Sequence, residues 1–387
     1  MGSLVVQPRS RLFHGHEWVY ATDVKIRSGD PEPGDVVTLK DVRGRPLGSA
    51  IFNPKSQIIA RRFSFRRQDL DAEFFVRRIE RAWKLRQRLG IDTTLCRVVW
   101  SESDGVPGLI VDRYGDHVVI QTLTLAMSLR EDLIVEAIKQ VFSPQTITAR
   151  NEVAVRRAEG MDCEKKMLHG SQPAPFSLQT AGMTFQIDVW DGQKTGLYLD
   201  QIDNYSSVAR WAKGKRVIDC FCNQGGFAQA CAQAGAASVL GVDSSESALA
   251  SAAVNSSSLN IDWKAANVFD YLKEAESKNE TSDLIVLDPP SFTRTKGSVN
   301  DALRGYKEIH LRAMKMLPPG GILATFSCSH HISTGDFYTM IGDAAVDARR
   351  KLRLIDTYRQ RADHPIILGM PETEYLRGYA FEIVGGW

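Results

Sequence analysis

Beyond residue 214 one pattern repeats: a short apolar run, a turn of small or acidic residues, then apolar positions three and four apart. Apolar runs of this kind are buried strands, and the spaced positions are one face of a helix. The pattern predicts strands over 216–220, 238–243, 262–266, 284–288, 321–327, 352–358 and 379–384, with helices between the first five. That is an α/β fold, a mostly parallel doubly wound sheet with an antiparallel return at its C-terminal edge. Upstream, β-type pieces at 36–40, 48–52 and 58–63 are broken by Pro-Glu-Pro-Gly, Arg-Gly-Arg-Pro and Asn-Pro, which reads as a small β-barrel. The period then changes: Phe74, Phe75, Ile79, Ala82, Trp83, Leu85 and Leu89 recur at helical spacing over 69–90. Strands at 106–112, 117–123, 145–148 and 184–189 surround a helix at 128–142 in an α+β connector. The expected domains are therefore 1–67, 68–190 and 191–387.

A chain of 387 residues, 43% of them hydrophobic, can bury several cores. No apolar run approaches the roughly 18 residues of a membrane span, and no signal-type apolar block lies near the start, so a cytoplasmic, non-membrane protein is expected. Six cysteines, at 96, 163, 220, 222, 231 and 328, lack the paired spacing of a zinc site. No metal is expected.

Charge is distributed unevenly. Residues 1–100 hold 19 Lys and Arg against 11 Asp and Glu, and the remainder holds 29 against 35. The surplus gathers at Arg61, Arg62, Arg66 and Arg67, interleaved with Phe63 and Phe65, and again over 77–88. Cations neutralise phosphates and aromatics stack on unpaired bases, so the first cluster is a candidate RNA contact. The second reads equally well as a solvated helix face.

The chemistry-bearing residues sit where strands end. Leu287-Asp288-Pro289-Pro290-Ser291-Phe292 offers a carboxylate beside a flat, proline-walled loop, and Ser327-Cys328-Ser329 offers a thiol at the end of the neighbouring run. In the first strand–turn–helix, Asp219-Cys220-Phe221-Cys222-Asn223-Gln224-Gly225-Gly226, the GxGxxG spacing of a dinucleotide site is absent. Strand-ending Asp219 and Asp243, with glycines that let a cofactor lie against the turn, fit S-adenosylmethionine instead, whose ribose hydroxyls and ammonium both call for acceptors.

With those motifs, residues 216–292 and the Ser-Cys-Ser segment resemble a class I methyltransferase. Most of the chain resembles the RlmI-type large-subunit ribosomal RNA cytosine-5 methyltransferases. The supporting segments are Gly15 to Tyr20, Glu102 to Leu109, Lys194 to Gln201, Arg304 to Lys307 and Ala362 to Pro365. The resemblance implies a PUA domain, a middle domain and a catalytic domain, large-subunit (23S) ribosomal RNA as partner, and S-adenosylmethionine as cofactor, with a homodimer left open. Carried onto this sequence, the cofactor set is Asp219, Phe221, Asn223, Gly225, Asp243, Ser244, Asn267, Asp288, Tyr198 and Gln201. The base would lie against Pro289, Pro290, Ser291 and Phe292. Cys328 is the nucleophile expected to add to carbon 6 of cytosine, and Asp288 the acid that holds the base. Cys222 is a rival thiol, expected only to pack, and His364 a lesser candidate for proton traffic. Glu17 replaces the usual proline, Cys222-Asn223-Gln224 a Ser-Tyr-Thr, and Asn267 an Asp; Ser291 stands where many RNA cytosine-5 methyltransferases carry a second cysteine, in the single-thiol form of the RlmI type. Two alternatives remain open: a guanine N-methyltransferase, which needs no thiol, and a non-catalytic RNA-binding or ribosome-assembly factor.

Overall fold

In the computed structural model, which describes residues 2–293 and 296–386, the punctuated N-terminal segment folds as a six-stranded sheet. Its order is Trp18–Tyr20, Ile58–Ser64, Pro46–Phe52, Val36–Lys40, Ser3–Val6 and Val24–Ser28. Leu4, Val6, Val19, Val37, Leu39 and Phe52 form its core. The first, second and third strands in the chain were not expected from the sequence, because three to five residues are too few to display a period.

The helix expected over 69–90 spans Ala72–Arg88, started by Asp71, whose carboxylate accepts from the Phe74 N–H at 2.7 Å. Phe74, Phe75, Ile79 and Ala82 bury against a five-stranded sheet of order Lys165–His169, Thr146–Arg150, His117–Thr122, Leu109–Tyr114 and Leu95–Trp100. The helix expected over 128–142 is instead two, Leu125–Ser128 and Glu131–Phe142. Met1–Leu178, Ile187–Leu199 and Ala362–Glu374 together make one compact unit.

Gln179–Gln186, Asp200–Arg361 and Tyr375–Trp387 make the second. Its seven-stranded sheet has the order Asp262–Ala265, Ser238–Asp243, Arg216–Cys220, Leu284–Leu287, Ile322–Ser327, Arg377–Gly386 and Arg350–Arg359. Only Arg377–Gly386 runs antiparallel to its neighbours, as the sequence pattern predicts. Leu284–Leu287 and Ile322–Ser327 are buried along their whole length, which is why they read as unbroken apolar runs. Strand order reverses between Arg216–Cys220 and Leu284–Leu287, and such a switch point opens a crevice at the carboxyl ends of the strands. No helix among the described residues is long and apolar enough to cross a membrane.

Candidate active site

The turn after the first strand of the second unit is held in an unfavourable shape. Phe221 has φ 63°, Asn223 φ 47° and Gly225 φ 76°. A bulky residue in the left-handed region costs roughly 1–2 kcal/mol, so neighbouring groups must fix it there. They do: the N–H groups of Phe221 and Cys222 donate to the Val242 carbonyl at 2.9 and 3.2 Å. Asp243 takes the Asn223 N–H on Oδ2 and the Ser245 N–H on Oδ1, both at 2.9 Å. The glycines do not leave empty room, contrary to the sequence expectation. A Cβ on Gly225 would lie 2.3 Å from the Trp263 ring, and one on Gly226 would lie 2.4 Å from the Tyr205 ring. Their smallness seats protein side chains.

Asp219 ends the strand at 0% exposure, with Oδ2 accepting from the Ala228 N–H at 3.0 Å. Its other oxygen, Oδ1, is buried and has no hydrogen-bond partner among the described residues. Burial pushes this carboxyl well above the usual carboxylate range, and the charges of Asp288 and Asp243 push the same way. A buried acceptor left without a donor is costly, so a cationic donor supplied by a ligand would be bound strongly here. Asn267 starts the helix Val268–Ser277, its Oδ1 accepting from the Phe269 N–H at 2.9 Å, which leaves its NH2 to donate outward.

Asp288 is half-buried at the end of Leu284–Leu287. Gln201 Nε2 donates to its Oδ2 at 3.0 Å, and Gln201 Oε1 accepts from Asn204 Nδ2 at 2.6 Å. Asn204 is itself anchored on the Arg359 carbonyl at 3.0 Å. Gln201 thus has both amide ends engaged within the protein, and it aims Asp288 where the sequence expectation had it binding cofactor. Beyond the aspartate, Pro289 is buried while Pro290 and Ser291 are exposed. Phe292 packs with Phe221, Phe269 and Tyr306 at ring separations of 6.3, 5.6 and 4.7 Å.

Cys328 is reached through a chain of hydroxyls. Ser291 Oγ and Ser329 Oγ lie 2.9 Å apart, Ser329 Oγ is 3.1 Å from the Tyr306 hydroxyl, and Ser327 Oγ is 3.4 Å from that hydroxyl. Ser327 and Ser329 are buried, and Cys328 between them is partly exposed. Burial raises the Tyr306 phenol, and Cys328 and Asp288 are near enough that their charges raise it further. In the same unit Cys220, Cys222 and Cys231 are buried and their thiols are pushed up by burial and by Asp219. Cys222 is therefore a packed thiol of low reactivity. Tyr306, Ser329 and Asn204 were not singled out from the sequence. Tyr306 lay in a quoted motif, but a tyrosine on the buried face of a helix reads as core.

Two family models match the chain: a PUA-like domain over residues 9–65 and an S-adenosylmethionine-dependent methyltransferase over residues 140–366. Ribosomal RNA large subunit methyltransferase I of Shewanella denitrificans is 40% identical over 94% of this chain and 94% of its own length. The protein of that name from Erwinia tasmaniensis is 37% identical over 96% of each. The chain belongs to the ribosomal RNA large subunit methyltransferase I family. A solved Streptococcus mutans structure, provisionally named a SAM-dependent methyltransferase, matches the fold with a TM-score of 0.83, covering 99% of this chain and 100% of that one at 20% identity.

The cofactor of this methyltransferase is S-adenosylmethionine. The residues fit it: the unsatisfied Asp219 oxygen suits its ammonium, and the outward NH2 of Asn267 suits a ring nitrogen of adenine. Asp243 spends one lone pair of each oxygen on the turn, and a carboxylate has about four acceptor sites, leaving capacity for ribose hydroxyls. Exposed Ser244 follows it directly. Tyr198 belongs to the first unit, with Lys194 Nζ 5.7 Å over its ring.

The arginines expected to contact RNA divide into two kinds. Arg61 is ion-paired with Glu102 at 2.8 Å and lies over the Trp18 ring, and Arg62 is paired with Glu17 at 2.6 Å. Both are consumed in packing, so the expectation that they meet phosphate is corrected. Arg66 and Arg67 are exposed. His364 is buried in the first unit, Nδ1 on Asp363 at 2.8 Å and its ring 5.4 Å from Trp100, a packing role.

Proposed function

We propose that this methyltransferase forms 5-methylcytosine in large-subunit (23S) ribosomal RNA, in the cytoplasm, through a covalent bond between Cys328 and carbon 6 of the base. The observation that carries the reading is a partly exposed cysteine and an aimed carboxylate at the ends of two adjacent strands. Carbon 5 of cytosine is too weakly nucleophilic to take a methyl group unaided, and addition of a thiolate at carbon 6 makes it enamine-like. In this scheme Asp288, oriented by Gln201, holds the ring nitrogen and exocyclic amine of a base taken out of its stack. The Cys328 sulfur bonds to carbon 6 while the ring nitrogen gains a proton. Bound S-adenosylmethionine supplies a methyl group activated by its sulfonium. A base then takes the carbon 5 proton, the electron pair left behind forms the carbon 5–carbon 6 double bond as the carbon–sulfur bond breaks to release the thiolate, and the ring nitrogen gives back its proton. Ser291 lies 2.9 Å from the hydroxyl of Ser329, the residue after Cys328, so a hydroxyl stands where many RNA cytosine-5 methyltransferases carry a second cysteine, the single-thiol form of the RlmI type.

A guanine N-methyltransferase would not need Cys328, which separates the two readings. Cys328→Ala should abolish methyl transfer and leave cofactor affinity near wild type. RNA with 5-fluorocytosine at the target should trap the wild-type enzyme covalently, and Cys222→Ser should still be trapped. Bisulfite sequencing of ribosomal RNA from a deletion strain would locate the cytosine. An active Cys328→Ala enzyme, or methyl groups on guanine nitrogen, would overturn the proposal.

A further inference from the structure

The helix Ala72–Arg88 carries a row of exposed cations. Arg77, Arg81, Lys84 and Arg88 are spaced by four, three and four residues, one stripe of a 3.6-residue helix, while Phe74, Phe75, Ile79 and Ala82 fill the core. On the helix itself Arg77 pairs with Glu73 and Lys84 with Glu80, each four residues apart, so the cations of the stripe left over are Arg81 and Arg88. Beside it the strand Ile58–Ser64 runs into the exposed turn Phe65-Arg66-Arg67. A groove of about 1040 Å³ lies here, lined by the stripe, by Arg66 and Arg78, and by Phe65.

The acids on that lining are already taken. Glu17 holds Arg62, Glu102 holds Arg61, Asp104 holds Arg86, and Glu80 is 3.6 Å from Lys84. Arg66, Arg81 and Arg88 have no ion pair among the described residues. Burial and the neighbouring Arg81 and Arg77 lower the Arg78 guanidinium, with Asp104 opposing them, and its Nη2 donates to the Phe63 carbonyl at 2.9 Å. Ser103 Oγ, also on the lining, is buried without a hydrogen-bond partner among the described residues. Phe65 is 73% exposed, with the Arg62 guanidinium 4.2 Å over its ring, so the aromatic is fixed in place while remaining open to solvent.

We infer that this groove grips the phosphodiester backbone of single-stranded RNA, with one unpaired base stacked on Phe65. The inference rests on the reading that RNA is the substrate, and it sets most of the grip outside the residues matched as PUA-like, on the helix that follows them. Eleven residues of helix separate Arg77 from Arg88, roughly 16 Å, enough to face several consecutive phosphates. A row of cations with an exposed aromatic beside it is the pattern that tracks unpaired strands.

The test uses the full chain and an unstructured RNA oligonucleotide, followed by fluorescence anisotropy over a salt series. Combined Arg66→Gln, Arg81→Gln, Lys84→Gln and Arg88→Gln should weaken binding strongly and flatten the salt slope by up to about 0.7 per lost phosphate contact. Phe65→Ala should weaken binding roughly tenfold with the slope unchanged. S-adenosylmethionine affinity should be unaltered in both. Four glutamines at exposed Lys25, Arg43, Lys213 and Lys273 are the comparison and should do much less. If the comparison variant loses as much, or if the groove variant binds as wild type does, the groove inference fails while the substrate reading stands. A wild-type enzyme that binds no RNA would overturn both.

Discussion

Asp219 is the residue whose state the cofactor should change most. Without a ligand its carboxyl is buried, half-satisfied and raised well above the usual range, with Asp288 and Asp243 as its charged neighbours. With the cofactor ammonium placed on Asp219, pairing would take the ionised form, and binding would release a proton from whatever fraction is still protonated. An acid with a raised folded pKa contributes stability below its unfolded value and loses it as pH rises through the folded value. The unliganded protein should therefore weaken along that rise, and cofactor affinity should climb over the same interval, by at most about tenfold per pH unit. The climb ends near pH 8, where an α-amino group of pKa about 7.7–8.0 loses its own charge. Asp219→Asn should lower the affinity and flatten the profile. Calorimetric titration in buffers of different ionisation enthalpy would count the protons, and a wild-type affinity independent of pH would remove Asp219 from the ammonium site.

At the level of single elements, the helix Val299–Met316 is the support of the thiol loop. Tyr306 reaches Ser329, and one turn on His310 bridges the Tyr306 carbonyl at 2.6 Å and the Thr325 hydroxyl at 2.7 Å. His310 is fully buried, which lowers it to about 4. A histidine depressed in the folded state favours unfolding as pH falls below about 6.5, the unfolded value, and the loss is complete near 4. Its limit is about 3 kcal/mol, an order-of-magnitude figure. His310→Gln should remove that acid sensitivity while keeping a donor and an acceptor. Urea midpoints at neutral and mildly acid pH for both proteins check this, and equal acid losses would show that other groups carry the effect. This scaffold marks the boundary of what the sequence made legible. Strand ends carrying Asp219, Asp288 and Cys328 could be read because apolar runs of a buried parallel sheet announce where they stop. The links from Gln201 to Asp288 and from Asn204 to Arg359, and the Ser291–Ser329–Tyr306 chain, could not, because they join residues distant in sequence whose types are common in any core. The same holds for Arg61 and Arg62, whose partners Glu102 and Glu17 are invisible to a local charge count.

Across the whole molecule, the chain leaves the second unit after Arg361, contributes Ala362–Glu374 to the first, and returns at Tyr375. A cut at the expected boundary of 191 would therefore divide both units. What receives that returning segment is an arginine from the basic run. Arg86 is 0% exposed and spends its guanidinium on Asp104 in two bonds of 2.6 and 2.8 Å, on the Arg97 carbonyl at 2.9 Å and on the Asp363 carbonyl at 2.6 Å. Asp363 in turn accepts from the Arg97 N–H at 3.0 Å. Removing one partner of such a pair leaves an uncompensated buried charge, whereas replacing both by apolar groups is often neutral. Asp104→Ala should accordingly cost about 3–5 kcal/mol, and the double variant Asp104→Leu with Arg86→Met should recover much of it. Urea unfolding of the full chain measures both. A loss below about 1 kcal/mol for Asp104→Ala, the range of exposed pairs, would mean that Arg86 is carried by its carbonyl partners and that the carboxylate is dispensable to the joint.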